Sequence, residues 1–580
     1  VSRVRLHQAP ERQESRTVTA NLPDPSGTGS WVSRIRSTAP AGIVGLLLGM
    51  LALGPGLAPG YLLSYDMVFV PRPPFNAAMF GLGGTLPRAV PSDAVVTMLA
   101  HVLPADFVQK LLLLAIFVLA CSGVAVLLRA EHWMAQLAAG VCYAWNPFVA
   151  ERLILGQWAL LLGYAGLPWV LRSLTSPAAT RWRQAGLLAL ALVPAAIGGF
   201  SAMCVSGLVV LPVAASGTGQ AIRERVAAVV AALGVLTVLS LPWLVPALTR
   251  TVLTSPAGAA AFAARADTPF GSAGSLLMLG GVWNAQVVPA GYGGTGSALW
   301  LVLVLAAIGS FALLGRHRWP GLGFAAVAGF AVAAVGVTGG GQGVLRSMIA
   351  FWPGFAVLRD GQQFVAPLAL AEAAGVGLGV SWLMRRPRPF GMKEGKALIG
   401  IALLIAPIVL LPGLAWGAGN RLRPVQYPAD WLVARNLIDS DRARGDVLLL
   451  PWAAYRRFGW NGGEAVLDPW PRLVRRQVIW NDAVQVGAVT IPGEDPRARA
   501  LDGLIASAGP LTLSLEKAGI RYVIVDAGFA QSPPGVPQRR VPGAASPGSY
   551  PYLSRLPGCQ IVLAGPGLVL YRLPDSQQAR

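Results

Sequence analysis

Residues 60–75 read GYLLSYDMVFVPRPPF, and the interpretation of the rest of the chain turns on this stretch. It follows directly on the first long apolar segment, so it lies where that segment leaves the bilayer. Asp66 is the only acid between Asp24 and Asp93. A carboxylate inside hydrocarbon costs roughly 3 kcal/mol or more, which makes an acid at this boundary a functional candidate by default. Arg72 is close by, and Pro71, Pro73 and Pro74 stop the segment from continuing as a helix. The expectation is an ordered loop folded back over a membrane-embedded cavity. The plainer alternative is a connecting loop whose acid faces water.

The composition sets the class. Of 580 residues, 54% are hydrophobic and only 12% charged, and apolar runs recur from residue 40 to residue 417 before stopping. This is the signature of a polytopic α-helical membrane protein carrying one water-soluble domain. The net charge of +20 would point to nucleic acid in a soluble protein. Here the excess lies in short loops between apolar runs, where basic residues orient the chain in the membrane. No nucleic-acid partner is expected. The four cysteines show neither a disulfide framework nor a zinc spacing.

Eleven spans are expected: about 40–58, 108–128, 133–149, 156–172, 184–198, 201–217, 226–248, 298–315, 321–338, 364–384 and 397–417. With the N-terminus inside, 19 Lys or Arg fall in inner segments. Seven fall in outer ones before the soluble part: Arg72, Arg88, Arg152, Arg250, Arg265, Arg346 and Arg359. The chain then divides into a disordered cytoplasmic tail (1–38), a transmembrane domain (39–418) with outer loops 59–107, 250–297 and 339–362, and an extracytoplasmic α/β domain (419–580). In the last part PADWLVARNLI reads as an amphipathic helix, DVLLLPW and GIRYVIVDAG as strands, and QIVLAGPGLVLYRL as a hairpin turning at Gly565–Gly567.

Polar residues at outer span ends are the informative set. Besides Asp66 and Arg72 they are Arg88 and Asp93, then Asn146, Glu151, Arg152 and Gln157 in WNPFVAERLILGQW, then Arg359, Asp360 and Gln363 in LRDGQQF. Gathered over one cavity, they suit a substrate with a phosphate headgroup and a lipid tail. Arginine pairs bidentately with phosphate oxygens, and a carboxylate can take the proton of an attacking hydroxyl. The alternative is that Glu151 with Arg152, and Arg359 with Asp360, are local ion pairs holding loop ends. Glu372 lies well inside an apolar span. In the soluble domain Trp452, Tyr455, Arg456 and Trp460 form a cluster able to hold sugar rings of an acceptor, or else to anchor at the interface or pack as core.

The segments SYDMVFVPRPP, YAWNPFVAERLILGQWALLLGY and LRDGQQF, with the span layout and the C-terminal domain, resemble the GT-C membrane glycosyltransferases. Within that class the chain is most similar to cell-envelope arabinofuranosyltransferase-like proteins. The resemblance implies Asp66 as catalytic base and a polyprenyl-phosphate sugar as donor, its phosphate held by Arg72, Arg88 and Arg359. A cell-envelope polysaccharide or glycolipid would be the acceptor, with single displacement and inversion at the anomeric carbon. Many members carry a second acid beside the first, and here Met67 stands in that place. No metal-ligating residue is assigned, and a divalent cation is left open. The competing readings are a flippase for a lipid-linked sugar and a non-catalytic envelope assembly protein.

Overall fold

The computed structural model describes residues 29–84, 86–217, 221–249, 254–386, 393–486, 489–526, 529–530 and 552–574. Residues 1–28 of the expected cytoplasmic tail lie outside them, and residues 29–38 open the first helix, Gly29–Leu53. Each of the eleven expected segments holds helix, yet fewer qualify as spans. Among the described residues five helices are long and apolar enough to cross a membrane: Ala39–Leu57, Ala105–Leu127, Ile222–Thr249, Ser297–Gly315 and Gly361–Arg385. Two bent pairs, Pro320–Val335 with Gly339–Phe351 (94°) and Gly395–Leu410 with Pro412–Asn420 (60°), raise this to seven if each is one span.

The difference from eleven has local causes. The helix Trp133–Ala144 has 12 residues, about 18 Å of rise against a ~30 Å hydrocarbon core. It stops because Pro147 follows, and Asn146 instead caps a new short helix, Pro147–Ile154, accepting from the Val149 N–H at 3.1 Å. The helix Phe200–Ala215 is likewise only 16 residues long.

Lipid offers helices no hydrophobic drive to associate, so close backbone approach through small residues holds them together. The sequence Gly45-Leu-Leu-Leu-Gly49 does this between the first helix and Ala105–Leu127. A methyl group on Gly45 would meet the Phe117 carbonyl oxygen at 2.6 Å. Glu372 is buried in Ala366–Arg385, and its Oε1 has no hydrogen-bond partner among the described residues.

The C-terminal domain is built on a five-stranded mixed sheet. Its order is Gln560–Ala564, Leu568–Arg572, Ile520–Asp526, Asp446–Leu450 and Val478–Ile479. The Asp446–Leu450 strand runs parallel to both neighbours, whereas the last two strands in the chain form the expected hairpin. Both faces are covered, so the central strands carry unbroken apolar runs, Val447–Leu450 and Tyr522–Val525. Val447 and Leu449 pack with Trp431 and Ile438 of the helix Ala429–Ser440, in a core continuous with that of the membrane helices. Leu448 and Leu450 pack on the other side with Leu501 and Ile505 of Pro496–Ala506.

The domain is stitched to the first long loop. Tyr61–Leu62 pairs with Pro424–Val425, and Tyr65 exchanges backbone hydrogen bonds with Ala465 (2.7 Å) and Leu467 (2.8 Å) of the strand Ala465–Leu467. The loop carrying Asp66 is thus clamped between the C-terminal domain and the apolar helices.

Candidate active site

The clamp has two jaws. On the membrane side the Asp66 N–H donates to the Leu155 carbonyl at 3.1 Å, and Ser64 Oγ donates to the Ile154 carbonyl at 2.6 Å. Gly156, at φ +81°, makes this contact possible, because a methyl group there would lie 2.2 Å from the Met67 nitrogen. The next residue, Gln157, is therefore delivered against the Asp66 carboxylate and hydrogen-bonds to it. On the domain side the Tyr455 hydroxyl donates to Asp66 Oδ1 at 2.5 Å, a short charge-assisted bond.

From Asp66 the network runs on. Gln157 Oε1 accepts from Arg152 Nη1 at 2.9 Å, and the same nitrogen lies 3.3 Å from Asp360 Oδ2. Gln157 of the membrane domain and Tyr455 of the C-terminal domain therefore meet at the Asp66 carboxylate, and Asp360 joins the network through Arg152. Burial pushes the Asp66 pKa above the ordinary Asp range, and the Tyr455 and Gln157 hydrogen bonds and Arg472 oppose the rise. The Tyr455 hydroxyl is pushed well up, first by burial and then by Asp66, so it stays protonated and donating.

A narrow cleft of about 20 Å³ begins at Val68 and Phe69, just past Asp66. Met79 and Trp158 make it apolar, and Asp93 and Arg472 supply its charge, with Arg472 Nε 2.8 Å from Asp93 Oδ2. Arg472 escaped the sequence reading, since nothing local marks an arginine that pairs 379 positions away. To one side a second charged cluster joins Arg88, Arg359 and Glu494. Arg88 is near enough to Tyr455 to act on its hydroxyl electrostatically. Arg359 is pushed down to about 10 by burial and then by Arg88, and remains charged at neutral pH.

The remaining expected site residues are placed elsewhere. Arg72 is exposed, at φ +49°. Asn146 is fully buried, its amide donating to the carbonyls of Cys142 and Tyr143 and to the Tyr164 hydroxyl. Gln363 is buried and donates to the Val357 carbonyl. Glu151 is buried against Asp267 rather than facing the cleft. Arg456 is fully buried, its guanidinium between Asp468 (2.9 Å) and Asp526 (2.6 Å). Trp460 belongs to an aromatic core with Tyr427, Trp431 and Phe458. Trp452 donates to Asp502 at 2.6 Å.

A divalent cation finds no matching donor set around Asp66. Its carboxylate already accepts hydrogen bonds from Tyr455 and Gln157, Met67 stands where a second acid would, and Asp360 is paired with Arg152. Among the described residues no group of three or more His, Cys, Asp or Glu converges.

The arabinofuranosyltransferase AftD from mycobacteria, seen by single-particle cryo-EM, matches over 93% of this chain with a TM-score of 0.58 at 18% identity. The chain shares the fold of that membrane enzyme over nearly all of its own length. A mutant form of the mycobacterial enzyme matches over the same 93% with a TM-score of 0.56, also at 18% identity. The chain spans 40% of the first of these structures and 42% of the second. ArnT from Cupriavidus metallidurans, in its apo crystal structure, matches 94% of this chain and 98% of its own at 11% identity and a TM-score of 0.43. No protein-family model and no curated protein sequence matches the chain.

Proposed function

We propose that the chain transfers a sugar from a polyprenyl-phosphate donor to a hydroxyl of a cell-envelope glycan or glycolipid, on the extracytoplasmic face of the membrane. Asp66 takes the proton of the acceptor hydroxyl as its oxygen attacks the anomeric carbon. The bond from that carbon to the donor phosphate breaks, the electron pair leaves with the polyprenyl phosphate, and the anomeric configuration inverts. Arg88 and Arg359 hold the departing phosphate. Tyr455 and Gln157 orient the carboxylate, and Arg152 holds Gln157 in turn.

One observation supports the reading: an acid fixed by donors from two domains lies two residues from a narrow cleft that opens at Val68, and Arg88 is close enough to act on its Tyr455 partner. A base with a raised pKa is also the better proton acceptor, because its driving force is larger near neutral pH.

The test is transfer from a synthetic polyprenyl-phosphate sugar by the protein in nanodiscs, followed across pH. The product should be inverted. Rate should fall on acidification as Asp66 protonates, with the acid limb above the ordinary Asp range. The Tyr455 hydrogen bond stabilises the ionised form, so Tyr455→Phe should move that limb to higher pH. An unmoved limb with a retained product configuration would remove Asp66 from this role.

A further inference from the structure

Arg88 and Arg359 reach one carboxylate from different loops, and that carboxylate belongs to the C-terminal domain. Arg88 Nη2 lies 2.5 Å from Glu494 Oε1, and Arg359 Nη2 lies 4.0 Å from the same oxygen. The match is incomplete. Glu494 is more than nine-tenths buried, yet its Oε2 has no hydrogen-bond partner among the described residues. Arg359 Nη1 is buried and equally without one, its guanidinium resting on the Phe262 ring at 4.8 Å. Buried polar groups are nearly always satisfied. Here the carboxylate turns one oxygen to both guanidinium groups and leaves the other unused, so the Arg359 Nη1 donor is left without an oxygen and the two arginines are poorly matched by a planar carboxylate.

A phosphate group has oxygens for both, and the two guanidinium groups are the donors that recognise it. We propose that Glu494 is an intramolecular stand-in for phosphate, which the headgroup of a lipid-linked phosphate displaces from Arg88 and Arg359. This rests on the glycosyltransferase reading for the identity of the lipid, though not for the chemistry of the exchange.

The charge count is consistent with displacement. A polyprenyl phosphosugar is a phosphodiester with one negative charge, and the free polyprenyl phosphate is a monoester with about −1.5 to −2, so either one matches or exceeds the charge of the Glu494 carboxylate it replaces. Access is open as well, since the Arg88 side chain is 53% exposed. Glu494 sits just past the short hairpin Val484–Val486 and Val489–Ile491, whose Val486 and Ile491 pack on Ala261 and Phe262 of the membrane domain. An apolar hairpin resting on an apolar patch can shift by trading one contact for another. Beside it, between Pro492 and the end of the helix Gly339–Phe351, lies a hollow of about 440 Å³ into which the segment can retract.

The exchange is tested by binding, without turnover. In nanodiscs, Glu494→Gln should bind decaprenyl phosphate at least tenfold more tightly than the parent protein, and Arg88→Ala and Arg359→Ala should each bind it at least tenfold more weakly. Inorganic phosphate, run in parallel, separates a site for free phosphate from one that also needs the lipid. Because a substitution at a buried acid can disturb folding, the second measurement uses the unaltered protein. Decaprenyl phosphate should speed backbone hydrogen exchange in residues 489–495 while leaving 520–526 unchanged. Equal or weaker binding by Glu494→Gln, or slower exchange in 489–495, would overturn the stand-in role and make Glu494 a fixed partner of the arginines. That failure would leave Asp66 chemistry untouched. Loss of the Asp66 mechanism would conversely leave the binding result standing.

Discussion

Asp66→Asn should abolish transfer while the protein folds as before. General-base catalysis contributes roughly 10²- to 10⁴-fold, so kcat in the nanodisc assay should drop by at least two orders of magnitude with KM little changed. The substitution is close to isosteric. An amide oxygen still accepts the Tyr455 hydroxyl now 2.5 Å from Asp66 Oδ1, so positions around the site should hold. Stability should not suffer, because a neutral amide is cheaper to hold out of water than a carboxylate, and burial already opposes ionisation here. A melting temperature at or above that of the parent, together with lost turnover, separates a chemical role from a structural one. Turnover within a few-fold of the parent would take Asp66 out of the mechanism.

Arg456→Ala should have the largest effect on folding. The guanidinium is completely buried, sits between Asp468 and Asp526, and also donates to the carbonyls of Leu450 and Pro451. Removing it leaves two carboxylates facing each other in the domain core. Breaking a buried ion pair from one side typically costs about 3–5 kcal/mol. For a domain of this size that is a fall in Tm on the order of 10 °C. Burial, followed by repulsion from Asp526 and against the pull of Arg456, already holds the Asp468 pKa up. Tryptophan fluorescence follows the melt, since Trp431 and Trp470 stack at 4.7 Å in the adjoining core. Because Tyr455 precedes Arg456 in the same strand, Tyr455–Arg457, the variant should lose transfer as well. A melt within a degree or two of the parent would mean that the buried triad contributes little.

These two residues also mark how far the sequence could be read. Asp66 stood out because one acid interrupts an apolar, proline-rich exit from the bilayer, and that cost is visible in any single chain. Gln157 and Arg152 share its surroundings through a short turn whose Gly156 lets the backbones touch, so their grouping was legible from proximity in the chain. The bond from Tyr455 was not, because it joins positions 389 apart and depends on how a domain docks. Arg456 was misplaced for a related reason. An arginine between two polar-looking neighbours reads as surface, and only Asp468 and Asp526, brought in by other strands, make its burial tolerable. The eleven expected spans are not all matched by single long helices where apolar content continues past a helix break, as at Asn146-Pro147, since hydropathy does not register a cap. The C-terminal strands were clear because a sheet covered on both faces leaves unbroken apolar runs.

The central claim is that lipid-linked phosphate is brought to Asp66 between the C-terminal domain and the loops on that face of the membrane. Photo-crosslinking tests it most directly, using a polyprenyl phosphate with a diazirine next to the phosphate and mapping the labelled peptides by mass spectrometry. Label should fall on peptides containing residues 64–70, 88–93, 152–158 or 355–363, and unlabelled decaprenyl phosphate should suppress it. Label confined to the opposite ends of the helices, around Arg129, Arg318 and Arg385, would contradict the account.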